Sequence, residues 1–159
     1  MSAPATVRIP IKPHLKKFVL FVMEVSEPVV VDEMGMLGRA IINVLKEKRA
    51  HKFDNLLEGY TARIEVVLSA DMLERSPMLH RLIHINNEID KQFREALLLW
   101  IRAQKKLGQP VNESCKNFLA TLKIDEKEYS YDGAYKVWQR FNDIEKARRS
   151  QGRPRRSIQ

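Results

Sequence analysis

Lys136, Gln139 and Arg140 stand within five positions of one another, in the run YSYDGAYKVWQRFNDIEKARRSQGRPRRSIQ from Tyr129 to Gln159. A guanidinium or ammonium group can donate to the paired acceptors of a guanine edge, and a carboxamide matches the donor and acceptor of an adenine edge. Lys146, Arg148, Arg149, Arg153, Arg155 and Arg156 follow. Such cations have one obvious chemistry, attraction to phosphate. The nine residues together predict contact with double-stranded DNA. Tyr131, Ala134, Tyr135, Trp138 and Phe141 recur at helical spacing, so one face of the same helix can pack while Lys136, Gln139 and Arg140 project elsewhere.

Charge distribution points the same way. The chain has 159 residues and a net charge of +8. From Asp132 onward, eight basic residues face three acidic ones, a net of +5, which leaves +3 for the first 131 residues. An excess gathered in one terminal stretch favours a localised polyanion contact over general solubility charge.

Other candidate chemistry is sparse. His80 and His84 have metal-ligand spacing, but position 81 is arginine rather than the glutamate of a zinc hydrolase, and no cysteine or acidic third ligand is evident. Cys115 is the only cysteine; it falls on an apolar helix face with no base to activate it, and a chain without disulfide pairs suits a reducing interior. None of the six glycines forms a phosphate-cradling loop, and Asp71, Glu74 and Glu88 lack the spacing of a two-metal nuclease. The reading is of a non-enzymatic, cytoplasmic protein with no metal, cofactor or small-molecule substrate. The run Phe18 to Met23 after Lys16 and Lys17 stops at Glu24, too short for a membrane span, and is read as core.

The elements that must position these residues can be read from periodicity. Val7 to Ile11 predicts an edge strand, because Pro10 excludes a central one. Pro13 opens a helix with Leu15, Phe18, Val19 and Val22 inward. Val29 to Val31 is a second β-branched run, followed by a helix from about Glu33 to Lys48 with Leu37, Ala40, Ile41, Val44 and Leu45 inward. His51 to Tyr60 reads as a loop or frayed turn. Ala62 to Leu68 alternates as a strand, with Ile64, Val66 and Leu68 on one face. Ser76 and Pro77 start a long helix, about Met78 to Leu107, that Gly108 and Pro110 end. Its apolar stripe is Leu82, Ile85, Ile89, Phe93, Ala96, Trp100, Ala103 and Leu107. A shorter helix from about Asn112 to Thr121 turns Val111, Cys115, Phe118, Leu119 and Leu122 inward. Asp125 and Glu128 have capping-box spacing, and Ser130 can cap the last helix. Gly133 would let that helix approach a phosphate or a neighbour.

Helix, turn, helix and basic tail form a helix-turn-helix-like layout, although the connection from Leu122 to Ser130 exceeds the usual turn. The segments VRIPIKPHLKKFVL, LHRLIHINNEIDKQF and KIDEKEYSYDGAYKVWQRF resemble small uncharacterised proteins of Bacteroidetes phages and mobile elements, whose last helix is also aromatic and basic. The resemblance spans most of residues 7–142 and implies a DNA-binding or regulatory role, without residue roles to carry over. Gly152-Arg153-Pro154-Arg155 resembles the core of an AT-hook, a minor-groove element, with Gln151 in place of its first arginine.

The expected architecture is therefore α+β. Residues 1–75 form a small α/β region, 76–108 a connecting and dimerisation helix, 109–147 a helix-turn-helix-like unit and 148–159 a flexible basic tail. The expected function is a DNA-binding regulator or accessory factor, acting as a homodimer. A structural or virion-assembly protein, docking its tail on an acidic partner or packaged genome, is the rival reading. A third reading takes the aromatic stripe as a stacking platform for single strands.

Overall fold

A computed structural model describes residues 3–46, 59–74 and 79–151. The fold is α+β, as expected: a three-stranded sheet with helices. The chain divides into two compact units. Unit 1 comprises Met1–Phe93 with Leu122–Ile124, and unit 2 comprises Arg94–Thr121 with Asp125–Gln159.

Unit 1 holds the sheet. Strand β1 (Ala5–Ile11) pairs antiparallel with β3 (Ala62–Leu68), and β2 (Val29–Val30) pairs parallel on its other side, giving the order β1-β3-β2. The central strand is therefore the one with strict alternation: Ile64, Val66 and Leu68 are buried. Pro10, lacking an N–H, sits on the edge strand β1, where it costs no central ladder bond. Helix α1 (Pro13–Met23) has Pro13 in its first turn, and α2 (Met36–Lys46) buries Leu37, Ala40, Ile41 and Val44. Helix α2 starts later than Glu33 because Asp32 builds a turn first, its carboxylate accepting from the N–H of Met34 and its carbonyl from that of Gly35. A short helix, α3 (Ala70–Glu74), follows β3.

Two sequence expectations fail here. Val22, expected inward, is 49% exposed, and Phe21 of the supposed core run is 52% exposed. The packed face of α1 instead comprises His14, Leu15, Phe18 and Val19. Glu24, at φ 52°, ends the helix directly afterwards. The expected helix from Met78 is also shorter: Leu79–His84 is a 3₁₀ segment, and α4 runs Ile85–Lys106, about 33 Å rather than 45 Å. Buried Asn86 ties this junction to β1. Its Nδ2 donates to the carbonyls of Pro10 and Ile83, and its Oδ1 accepts from the N–H of Lys12.

The buried stripe of α4 follows the expectation through Phe93 and then departs from it. Leu97 and Ile101 are fully buried, whereas Ala103 and Leu107 are exposed. Phe93 closes the unit 1 core, edge-on to Phe18 at 5.5 Å and to His14 at 5.2 Å between ring centroids. Gly108, at φ 84°, terminates α4 in a left-handed conformation that L side chains resist. No helix among the described residues is long and apolar enough to cross a membrane.

Candidate nucleic-acid interface

Unit 2 is helical. It contains the second half of α4, then α5 (Val111–Thr121) and α6 (Tyr131–Gln151). One side of α4 turns Trp100 towards α5, where its Nε1–H donates to the Ser114 carbonyl at 3.1 Å and its ring lies 6.1 Å from that of Phe118. Another side meets α6. The Arg102 guanidinium lies 4.3 Å from the centroid of the Phe141 ring, and Lys105 Nζ lies 5.5 Å from that of Trp138.

The start of α6 is fixed by the expected cap, Ser130 Oγ accepting from the Gly133 N–H at 3.0 Å. Asp125 and Glu128 form the reciprocal bonds of a capping box. Asp125 Oδ1 accepts from the N–H of Lys127 and of Glu128, and Glu128 Oε2 accepts from the Asp125 N–H. The box closes a turn and leads into no helix of its own. The space at Gly133 is filled locally: a Cβ there would lie 3.0 Å from Ser130 Oγ and 3.6 Å from the Tyr129 ring. Its use is to seat the cap and that ring.

Ala134 and Trp138 are buried, and Tyr131, Tyr135 and Phe141 are half-buried. Only 9% of Trp138 is exposed, with Phe141 at 6.0 Å between centroids. The aromatic stripe is thus a packing face, which counts against its use as a base-stacking platform. Lys136, Gln139, Arg140, Lys146, Arg148 and Arg149 are all exposed. Arg153, Arg155 and Arg156 lie outside the described residues, as does the Gly152–Arg155 element.

Charge along α6 is uneven. Lys136 is paired with Asp132 at 2.6 Å, one turn back. At 3.6 residues per turn, Asp132, Lys136, Arg140 and Asp143 all project from the side opposite Ala134 and Trp138, two cations with two anions. The positive excess lies further on, at Lys146, Arg148 and Arg149, of which Arg148 makes only a long 3.9 Å pair with Glu145. Sequence pattern alone did not assign Arg102 and Lys105 to this surface. Its one signal was the Lys105-Lys106 doublet, which also suits the C-terminus of any helix.

Other sites offer less. Cys115 is buried, and burial pushes its thiol up to about 11, so it stays protonated at neutral pH. His84 is buried, and the His80 side chain lies outside what the structure describes. Among the described residues no group of three His, Cys, Asp or Glu side chains could hold a metal ion. A cavity of about 70 Å³ against Ile42, Leu45, Lys46 and Met72 in unit 1 is small for a cofactor. No family model, curated protein or solved structure matches the chain.

Proposed function

We propose that this chain binds double-stranded DNA through α6 and the arginines after it, as a regulator or accessory factor of a phage or mobile element. The observation that carries the reading is the division of labour on α6. Its aromatic side is packed inward, and its cations are exposed along a helix of 21 residues. In this reading Gln139 and Arg140 reach base edges, with Lys136 released from Asp132 to join them. Lys146, Arg148, Arg149, Arg153, Arg155 and Arg156 hold phosphates. Nine residues separate α5 from α6, so the motif would be a variant helix-turn-helix, with a homodimer supplying a second half-site.

Anisotropy of labelled duplex, titrated with the full chain and with a truncation ending at Ala147 at two salt concentrations, tests this. Binding that survives truncation with a shallower salt dependence supports α6 as the reader. Unchanged duplex preference in a Gln139→Ala, Arg140→Ala double variant would remove the groove assignment.

A second reading has its own support. The outward side of the first turns of α6 is electrically neutral, which suits a protein that docks by its terminal arginines alone. A structural or assembly component of that kind would bind all duplexes alike. Loss of all binding on truncation at Ala147 would favour it.

A further inference from the structure

Arg102 and Lys105 differ from the other cations of unit 2 in how they are held. Both are exposed, both lie against a ring of α6, and neither side chain has an ion pair or hydrogen bond among the described residues. Lys136 and Lys116, by contrast, already have carboxylate partners one turn away. We propose that Arg102 and Lys105 form a second phosphate-contacting element, on α4, beside the one assigned to α6. The proposal rests on the DNA-binding reading above and adds residues to it.

Three physical points support it. A guanidinium held over a ring face still has N–H donors that an anion can reach. A long cation already ordered by its ring loses less side-chain entropy on binding than a freely rotating one. Arg102 and Lys105 are also three residues apart on one helix, so they project side by side and can grip the same strand.

A nucleic acid is the favoured partner over an anionic membrane. A helix that lies in a bilayer surface needs a free apolar face beside its cations. On α4 Leu97 and Ile101 are fully buried, and the exposed Leu99 and Leu107 stand eight residues apart, too few to make a continuous apolar face.

The test compares the wild-type full chain with Arg102→Met and Lys105→Met, singly and together. Methionine keeps much of the apolar stem and removes the charged head. Duplex affinity is measured over a salt series by anisotropy, with a thermal melt of each variant. Each single variant is expected to lower the slope of log affinity against log salt by about 0.9, and the pair by about twice that. If the double variant fails to fold, the single variants give the answer. Slopes equal to wild type would overturn the proposal while leaving the α6 reading intact. Absence of duplex binding by the wild type would overturn both. Tighter binding to vesicles of equal phosphatidylcholine and phosphatidylserine than to duplex would overturn this proposal in favour of a membrane.

Discussion

The cations of unit 1 and unit 2 are used differently. In unit 1 they hold distant parts of the chain together. Arg8 Nε donates to Glu65 at 2.6 Å, and Lys16 pairs with Glu27 and donates to the Arg63 carbonyl. Lys17 reaches the Lys123 carbonyl 106 residues away, and Lys12 lies over the Tyr60 ring. In unit 2, Arg102 and Lys105 rest on rings, and the ion pairs of Lys116 with Glu113, Lys136 with Asp132 and Arg148 with Glu145 each join neighbouring turns of one helix. Pairs that cross the sequence fix topology. Pairs within one helix fix little, and each contributes only a few tenths of a kcal/mol. The ion pairs described in unit 1 therefore belong to its fold, whereas those described in unit 2 fix little beyond their own helices.

The largest test of this contrast lies in the unit 1 core. Phe93 is fully buried and makes edge contacts with Phe18 and His14. Phe93→Ala should cost about 3–5 kcal/mol, read from urea unfolding. Arg149→Gln in unit 2 should change stability by less than about 0.5 kcal/mol. Comparable losses from the two variants would break the contrast.

Glu27 gives a smaller and pH-dependent effect. Burial alone would raise its carboxyl, but the Lys16 hydrogen bond, the Glu65 N–H and the Lys16 charge outweigh it and hold the group below its ordinary 4.5. A carboxyl depressed in the folded state contributes stability above its unfolded value and loses it as pH falls through the folded one. Glu27→Gln should therefore cost about 1 kcal/mol at neutral pH. The gap between variant and wild type should close as the pH falls below 4.5 and through the lower folded value. A gap that persists unchanged into acid would show that the carboxylate charge is not what ties β3 to α1.

Much of the fold was legible in the amino-acid sequence. Strict alternation located β3, Pro13 located the start of α1, and Ser130 located the start of α6, because each signal depends on the backbone within a few residues. The second half of α4 was not legible. Ala96-Leu97-Leu98-Leu99-Trp100-Ile101 is apolar at every position, so periodicity has no phase to detect. The stripe drawn through Ala96, Trp100 and Ala103 missed Leu97 and Ile101. The same error hid the candidate interface. Arg102 and Lys105 meet α6 only in the true phase of α4, and no local signal marks a cation that rests on a ring from a helix some 35 residues further along. The neutralisation of Lys136 is the opposite case. Asp132 lies four residues before it, so the pair was open to inspection in the sequence.

That pair supplies the smallest test, and one that sharpens the contrast most. Asp132 lies in the first turn of α6, where a negative charge favours the helix dipole, and it also holds Lys136. Asp132→Asn should lower stability by roughly 0.5 kcal/mol, the combined worth of an exposed pair and a screened dipole contact. It also frees Lys136 and removes an anion from the side of α6 proposed to face DNA. If the charge of unit 2 is available to a polyanion, duplex affinity at low salt should rise while the melting temperature falls, and the salt slope should steepen by up to about 0.9. Stability and binding would then move in opposite directions from one substitution, which a purely structural pair cannot do. A fall in stability with affinity unchanged would take Lys136 out of the interface. The contact would then rest on the far end of α6 and on the ring-backed cations of α4.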